Sequence, residues 1–330
     1  MIAVIGAAGT IGRNVVDWLQ MWGAQPMRSD FRLEGEEHVD ALDPSSLAGS
    51  LEGASVCVNC ADYRLNLDVM RGCLAAGADY VDLGGLFHVT RRQLELDGEF
   101  SDAGLAAILG MGSAPGKTNL LASAAASRLG ADPVSLHIWA ATRDPAAAGH
   151  PFPAPYSVRT LRDELRMRPV ILSGGELTEV EPLSGEAELE FPEPVGRAAG
   201  IYTLHSELAT LPSAFPSLRE ASFRLCLAPG LLEKLLALEE GEFPEPYVQS
   251  PESVAVHLVE MQSNGATVVA TALTRGGSAR STSEPAARAA LELAEGMLAM
   301  PGVHPPEGVI EDADRFLALL DSEIGYSSPA

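Results

Sequence analysis

The first twelve residues, MIAVIGAAGTIG at positions 1–12, decide the fold of this chain. A short apolar run at positions 1–5 is typical of a buried parallel strand, and glycines follow it at positions 6, 9 and 12. The first glycine permits a sharp turn, the second a close approach of the backbone to a pyrophosphate, and the third close packing of a helix on the sheet. The stretch therefore predicts a dinucleotide-binding turn at a helix N-terminus.

The residues after the glycines support this prediction, although GxxGxxG departs from the commoner GxGxxG spacing. An apolar stripe at helical spacing follows, formed by Ile11, Val15, Val16, Leu19 and Trp22. A second strand at 25–29 ends at Asp30, which can accept hydrogen bonds from adenosine ribose hydroxyls and repel a 2′-phosphate. We therefore expect NAD as cofactor, with NADP possible because Arg28 and Arg32 flank Asp30. The alternative is a glycine-rich turn without a ligand.

Length and composition indicate two domains and narrow the range of partners. A chain of 330 residues is longer than one hydrophobic core usually accommodates. A net charge of -23 argues against nucleic acid as a binding partner. Without a signal leader, and without an apolar run near the roughly 18 residues that cross a bilayer, we expect a cytoplasmic protein with no membrane partner. Cys57 and Cys60 lie on a predicted strand and face opposite sides, so we expect reduced thiols and no metal site.

Strands and helices alternate over the first third of the chain. Further strands are predicted at 38–41, 54–60, 79–83 and 105–109. Three helices are predicted between them: one that begins at Asp43, one at 65–76 and one at 89–103. This pattern predicts an α/β fold with a Rossmann-type, doubly wound parallel sheet, which binds ligands at the carboxyl ends of its strands. The candidate cofactor-binding residues at those ends are Gly6, Ala8, Gly9, Thr10, Ile11, Gly12, Asp30, Arg32, Asp40, Ala61, Asp62 and Gly112.

The second part of the chain has strands that need not alternate with helices. They are predicted at 135–142, 170–180, 186–191, 201–208, 220–227, 254–262 and 266–274, and Asn264-Gly265 marks a hairpin between the last two. A largely antiparallel sheet of this kind can leave a face for a second subunit, so we expect a homodimer. A flexible connection at 275–283 and helices at 286–300 and 313–324 complete the pattern.

Six stretches outside the glycine loop resemble the saccharopine dehydrogenase family, especially its lysine 6-dehydrogenase-like branch. They are GADYVDLG (77–84), GSAPGKTN (112–119), PYSVRT (155–160), FPEPVG (191–196), YTLHSE (202–207) and GVHPPE (302–307). The resemblance implies a dinucleotide-binding domain of residues 1–116 plus about 284–330. It also implies an inserted α+β domain of residues 117–283 for substrate binding and dimerisation.

The resemblance also implies NAD(P)-dependent oxidoreduction at a carbon that carries nitrogen. In the lysine 6-dehydrogenase-like branch, the amine carbon of lysine is oxidised to an imine and then a semialdehyde. Two alternatives stay open: reductive condensation of an amine with a keto acid or semialdehyde, as in saccharopine or carboxynorspermidine formation, and a non-catalytic NAD(P)-binding regulator that senses redox state. Lys117 replaces an apolar residue expected after Pro-Gly, which leaves the exact substrate open.

Amine oxidation needs a group that removes a proton from the substrate nitrogen. His205 is the first candidate, because a strand would place it on one face with Glu207, which could raise its pKa or bind the substrate ammonium. Tyr63 resembles a site tyrosine of the saccharopine reductase branch, and Asp82 ends a strand at the same edge of the sheet. Each of the four also has a purely structural alternative, as a core, capping or packing residue.

An amino-acid substrate also needs a group that binds its carboxylate, and the planar fork of arginine suits this task. Arg159 is the first candidate, with Tyr156 close to it in sequence. Lys117 is a rival, and its alternative is a solvated surface charge.

Overall fold

The computed structural model describes residues 1–239, 241–244 and 247–328. The chain forms two compact units. The first unit comprises Met1–Gly116 and Thr282–Glu311, and the second comprises Lys117–Ser281 with the described residues from Asp312 onward. Sequence reasoning assigned the chain's last segment to the dinucleotide-binding domain. This is wrong from Asp312 onward, because the final strand of the chain pairs with a strand of the second unit.

Fifteen strands and twelve α-helices occur in the described residues. The strands are β1 (Ile2–Ile5), β2 (Met27–Ser29), β3 (Val56–Asn59), β4 (Asp79–Asp82), β5 (Ala106–Ile108), β6 (Ser135–Arg143), β7 (Val170–Ser173), β8 (Glu176–Glu179), β9 (Ala187–Glu190), β10 (Arg197–Tyr202), β11 (Glu220–Cys226), β12 (Val254–Ser263), β13 (Ala266–Arg275), β14 (Gly302–His304) and β15 (Glu323–Ser327).

The helices are α1 (Thr10–Met21), α2 (Pro44–Ser50), α3 (Asn66–Ala76), α4 (Leu86–Leu94), α5 (Asp97–Ala103), α6 (Lys117–Leu129), α7 (Val158–Arg166), α8 (Glu207–Ala214), α9 (Leu231–Ala237), α10 (Gly277–Ala294), α11 (Pro306–Val309) and α12 (Ala313–Ala318). Across the described part of the chain, none of them has the length and apolarity that a bilayer-crossing helix requires.

The first unit contains a six-stranded parallel sheet with the order β14-β5-β4-β3-β1-β2. All four residues of β1 and of β3 are buried, as expected for central strands covered on both faces. The strand order reverses at β1, which lies between β2 and β3, so the carboxyl ends of β1 and β3 flank the switch point where such sheets bind ligands. The predicted Rossmann-type sheet is confirmed.

The second unit contains a mixed, mainly antiparallel sheet with the order β15-β13-β12-β6-β11-β10-β9, and β7 also pairs with β11 and β8. β6 and β11 run parallel, and the other neighbours are antiparallel. The hairpin predicted at Asn264-Gly265 joins β12 to β13, with Gly265 at a φ of 94°. The predicted second sheet is thus also present.

Several predicted element boundaries differ from the structure. Residues 38–41 form no strand beyond a single bridge between His38 and Asp30, and the helix predicted at 89–103 is divided into α4 and α5. The segment predicted as a flexible connection begins α10 instead, where Ser281 and Ser283 are completely buried. Small side chains here indicate tight helix packing rather than flexibility.

Candidate functional site

The glycine loop of the first unit has no room for side chains at two of its three glycines. Gly6 has a φ of 80°, and a Cβ added to it would lie 2.7 Å from the carbonyl carbon of Cys60. A Cβ on Gly12 would lie 2.1 Å from the carbonyl oxygen of Gly6, so helix α1 contacts the turn directly. Both glycines therefore serve the close turn and the helix packing that the sequence predicts.

The N-terminus of α1 follows this turn. Gly9 is the N-cap residue and has no side chain to cap the helix, so Thr10 and Ile11 begin α1 without a side-chain acceptor at the cap. No acidic residue lies in the first helical turn, all of which belongs to the described residues. Exposed backbone N–H groups and the helix dipole favour an anion at such an end. The cradle fits the pyrophosphate of a dinucleotide.

Asp30 lies beside the glycine loop but faces protein donors. Only 1% of Asp30 is exposed, and its carboxylate accepts hydrogen bonds from the backbone N–H of Ala8 and of Arg32. The guanidinium of Arg32 donates to both carboxylate oxygens, each over 2.9 Å. Burial alone raises the pKa of Asp30, but the hydrogen bonds from Arg32 and Ala8 outweigh it and lower the pKa.

Asp82 occupies the carboxyl end of β4, as predicted, and is 1% exposed. Its two oxygens accept hydrogen bonds from five donors, the group that we call the Asp82 cluster: the backbone N–H of Gly84 and of Gly110, and the side chains of Asn66, Tyr80 and Gln93. Burial raises the pKa of Asp82, and these hydrogen bonds offset only part of that rise. The arrangement holds the turns after β4 and β5 in place.

The other candidates of the first unit are distributed among several turns. Tyr63 is buried beneath Arg64, whose guanidinium lies 4.7 Å from the ring centroid, and Asp62 forms an ion pair with the same arginine. Ala61 donates its backbone N–H to the side chain of Asn59 at the end of β3. These residues follow the strand next to β1, as predicted, and their contact with a cofactor stays a prediction.

Two further cofactor candidates have local roles in the chain. Asp40 is exposed and accepts a hydrogen bond from the backbone of Leu42. Gly112 forms a bridge with Gly116, and a Cβ added to Gly116 would lie 2.1 Å from the carbonyl oxygen of Gly112. This close approach of Gly112 and Gly116 shapes the tight turn that follows β5.

The second unit brings His205 and Glu207 into direct contact. Nδ1 of His205 lies 2.7 Å from Oε2 of Glu207, and the other oxygen of Glu207 accepts a hydrogen bond from the Thr118 hydroxyl. The strand predicted at 201–208 is wrong beyond Tyr202, since Glu207 begins α8. The contact persists because the two side chains meet where the chain enters the helix.

Glu164 joins this pair and was not identified from the sequence. It lies on α7, is 4% exposed, and its Oε1 is 3.9 Å from Nε2 of His205. The Tyr156 hydroxyl donates to the other oxygen of Glu164 over 2.6 Å. We call Thr118, Tyr156, Glu164, His205 and Glu207 the His205 cluster.

A sequence signal for Glu164 existed on α7. Val158, Leu161 and Leu165 form the apolar stripe of this helix, and Glu164 follows Leu161 by three residues on the same face. A carboxylate on a buried helical face needs a partner. The identity of that partner depends on long-range packing.

The carboxyl group of Glu164 and the imidazole of His205 both have raised pKa values. Burial raises the pKa of Glu164 to about 7, against the opposing effects of the His205 charge and the Tyr156 hydrogen bond. Burial lowers the pKa of His205, but the charge and hydrogen bond of Glu207 outweigh it, so the net shift is upward. The His205 ring also stacks on Phe223 at a centroid distance of 3.7 Å. The cluster can therefore hold and exchange a proton.

The candidates for carboxylate binding lie in different surroundings. Arg159 is exposed, with its guanidinium 4.5 Å from the Phe243 ring centroid. Lys117 is completely buried, so the alternative of a solvated surface charge is wrong. Its ammonium donates to three hydroxyls, those of Thr274, Ser281 and Ser322.

His257 is a further buried group that sequence reasoning missed. Its Nδ1 lacks a hydrogen-bond partner among the described residues. Burial, together with the charges of Lys117 and His205, lowers the pKa of His257 to about 3. The imidazole is therefore neutral in the physiological pH range.

Comparisons with known proteins agree with the two-sheet architecture and with a dinucleotide-binding domain in the first unit. Residues 34–108 match the family model of the saccharopine dehydrogenase NADP binding domain. A carboxyaminopropylagmatine dehydrogenase from Synechocystis sp. is 27% identical over 214 residues, which cover 61% of this chain and 52% of that protein. The chain thus matches about half the length of this curated relative.

The fold as a whole has a counterpart among solved structures. The apo structure of the L-Glu-forming saccharopine dehydrogenase from Saccharomyces cerevisiae matches with a TM-score of 0.70 and 14% identity, covering 100% of this chain and 99% of that one. At this identity the likeness shows the fold. The sheet order, the glycine cradle and the matched domain model together define an NAD(P)-binding domain of the Rossmann type. The matched domain and the sequence relative agree with a resemblance to the saccharopine dehydrogenase family.

Proposed function

We propose that this protein is an NAD(P)-dependent oxidoreductase that oxidises the amine carbon of a lysine-like amino acid to an imine and then a semialdehyde. The observation that carries the proposal is the His205 cluster, in which a buried glutamate with a pKa near 7 lies beside a histidine paired with a second carboxylate. Amine oxidation needs such a proton acceptor, because a protonated nitrogen cannot release electron density to the departing hydride.

Three residues around His205 have different roles in the proposed proton transfer. Glu207 holds the Nδ1 side of His205, which orients the ring and stabilises its protonated form. Glu164, ionised above a pH of about 7, is the group that accepts a proton from the substrate ammonium. Tyr156 orients the Glu164 carboxylate through its hydroxyl. A bound nicotinamide supplies the hydride acceptor.

One observation favours a second candidate function. The sequence relative is named a carboxyaminopropylagmatine dehydrogenase, which supports a substrate made by reductive condensation of an amine with a carbonyl compound. The same cluster would serve that reaction in reverse, by protonating the nitrogen as the imine is reduced. A non-catalytic, redox-sensing role is the third possibility.

A homodimer also stays a prediction, and light scattering of the purified protein tests it.

The test is the absorbance of reduced nicotinamide with purified protein, NAD or NADP, and a panel of substrates. Lysine and related diamino acids test the first candidate, and amine plus keto-acid or semialdehyde pairs with reduced cofactor test the second. We expect turnover with a lysine-like amino acid in the oxidative direction. Turnover only with an amine and carbonyl pair supports condensation, and tight cofactor binding without any turnover supports the regulator.

A further inference from the structure

We infer that His257 is a substrate-binding residue, whose Nδ1–H donates a hydrogen bond to the carboxylate of an amino-acid substrate. The inference rests on the proposed function, because it names the residue that distinguishes a lysine-like amino acid from a diamine without a carboxylate. A carboxylate has about four lone-pair sites, so this contact and one from Arg159 do not exclude each other.

The imidazole of His257 carries a buried nitrogen that lacks a partner among the residues that the structure describes. His257 is 4% exposed, and the unpartnered atom is Nδ1. A buried polar atom without a hydrogen bond is destabilising, and each one in a native protein calls for an explanation such as a ligand. The burial of His257 equals that of Glu164, the residue proposed to accept the substrate proton, which is also 4% exposed.

His257 lies on the face of the second sheet that His205 contacts. The His205 ring stacks on Phe223 of β11, which pairs with Ile138 of β6. Ile138 pairs with Val259 of β12, two residues beyond His257, and side chains two residues apart on a strand share a face. Two strand spacings and two residues put the Cα atoms of His257 and Phe223 roughly 12 Å apart. An extended lysine-like chain can therefore reach from an amine beside His205 to a carboxylate at His257.

Short apolar side chains surround His257 in the sheet. Its paired residues are Ala140 on β6 and Ala272 on β13, and Ala255 precedes it by two residues on β12. A methyl group neither donates nor accepts a hydrogen bond. A ligand oxygen that approaches Nδ1 therefore meets no competing side-chain group from these three neighbours.

The charges that act on His257 favour an anionic ligand group. Thr274, its diagonal neighbour on β13, accepts a hydrogen bond from the ammonium of Lys117 over 2.9 Å. Lys117 donates to two further hydroxyls, so its charge acts on a ligand without direct contact. Burial and the charges of Lys117 and His205 lower the pKa of His257 to about 3, so the imidazole stays neutral. A neutral imidazole still has one N–H to donate, and the two cations attract a carboxylate and repel an ammonium.

His137 offers a matched control within the same sheet. It lies on β6 three residues before Ala140, so its side chain is on the opposite face from that of His257. Its Nδ1 has a partner, the Ser222 hydroxyl at 2.9 Å. A histidine with a satisfied nitrogen on the other face should contribute nothing to substrate binding.

The test compares L-lysine with cadaverine, the diamine that lacks only the carboxylate of lysine. Titration calorimetry is done on the full-length protein with reduced nicotinamide cofactor bound, so that no amine can be oxidised. We expect the wild type to bind lysine more tightly, and His257→Leu to weaken lysine binding by about ten- to a hundredfold, the loss expected for a hydrogen bond to a charged group. Cadaverine binding should change by less than about twofold in the same variant, because it lacks the group that His257 contacts.

Two further variants sharpen the comparison. His257→Asn should keep lysine affinity within about threefold of wild type, because its amide N–H can replace the Nδ1–H. His137→Leu should change neither affinity. Circular dichroism verifies the fold of each variant, and His257→Ala gives the same comparison if His257→Leu does not fold.

Four results would overturn the inference: no binding of lysine to the wild type, equal wild-type affinity for lysine and cadaverine, equal losses for both in His257→Leu, or the same selective loss in His137→Leu. Binding to the complex with reduced cofactor requires no turnover. The inference can therefore stand when no amine is oxidised, and it can fail while the enzyme oxidises lysine-like amino acids.

Discussion

Two buried carboxylate clusters, one in each unit, differ in the chemistry of their partners. Asp82 accepts hydrogen bonds from two backbone N–H groups and from three side chains. These five donors surround both carboxylate oxygens. Among the residues that the structure describes, Glu164 accepts one hydrogen bond from a hydroxyl, and its other oxygen lies 3.9 Å from an imidazole nitrogen. Burial raises the pKa of both carboxyl groups. The number of fixed donors therefore separates a carboxylate that holds turns from one that can exchange a proton.

The largest expected effect is on turnover in the His205 cluster. Glu164→Gln and His205→Gln should each lower kcat by about 10²- to 10⁴-fold, the range for loss of a general acid or base. Cofactor affinity should change little, because neither residue belongs to the glycine loop. Steady-state kinetics and cofactor titration measure the two quantities, with the exposed Glu233→Gln as control. Turnover within about twofold of wild type would return the cluster to a structural role.

The second prediction concerns stability in the Asp82 cluster. Asp82→Ala should lower the free energy of unfolding by about 3–5 kcal/mol, because it leaves five donors without their acceptor. Denaturant unfolding measures this loss, and Asp17→Ala, at an exposed position of α1, should change it by less than about 0.5 kcal/mol. If Asp82→Ala folds with wild-type stability, the distinction between the two clusters fails.

A third prediction is the pH dependence of catalysis. Glu164 accepts a proton only when ionised, so kcat/KM should fall about tenfold for each pH unit below its pKa of about 7 and level off above it. The acid limb at this pKa should disappear from the residual activity of Glu164→Gln and persist in Glu233→Gln. An unchanged profile in Glu164→Gln would assign the limb to another group.

The smallest expected effect separates the two faces of α7. Arg159 is exposed on the helix that carries the buried Glu164. If Arg159 binds the substrate carboxylate equally in the ground and transition states, Arg159→Ala raises KM by about tenfold and leaves kcat unchanged. Arg166→Ala, at an exposed position of the last turn, is the control. An unchanged KM would exclude Arg159 from substrate binding.

The elements that could be predicted from the sequence are those whose structure is determined by a few neighbouring residues. The glycine loop and the NG hairpin follow from steric rules that act over a few residues, and the central strands follow from continuous apolar runs. The end of the chain was assigned to the wrong unit because β15 is defined by its pairing with β13, and no local pattern encodes a partner so distant in sequence.

For the candidate site, the sequence alone determined the glycine cradle, the acid at the end of the second strand, and a histidine two residues before a glutamate. Tertiary structure alone decided that Glu164 joins that pair, that Lys117 is buried among hydroxyls, and that Asp30 is occupied by Arg32. The reason is physical: backbone geometry follows from local sterics and periodicity, whereas burial and hydrogen-bond partners, which set the charge and availability of a side chain, arise from contacts between distant segments.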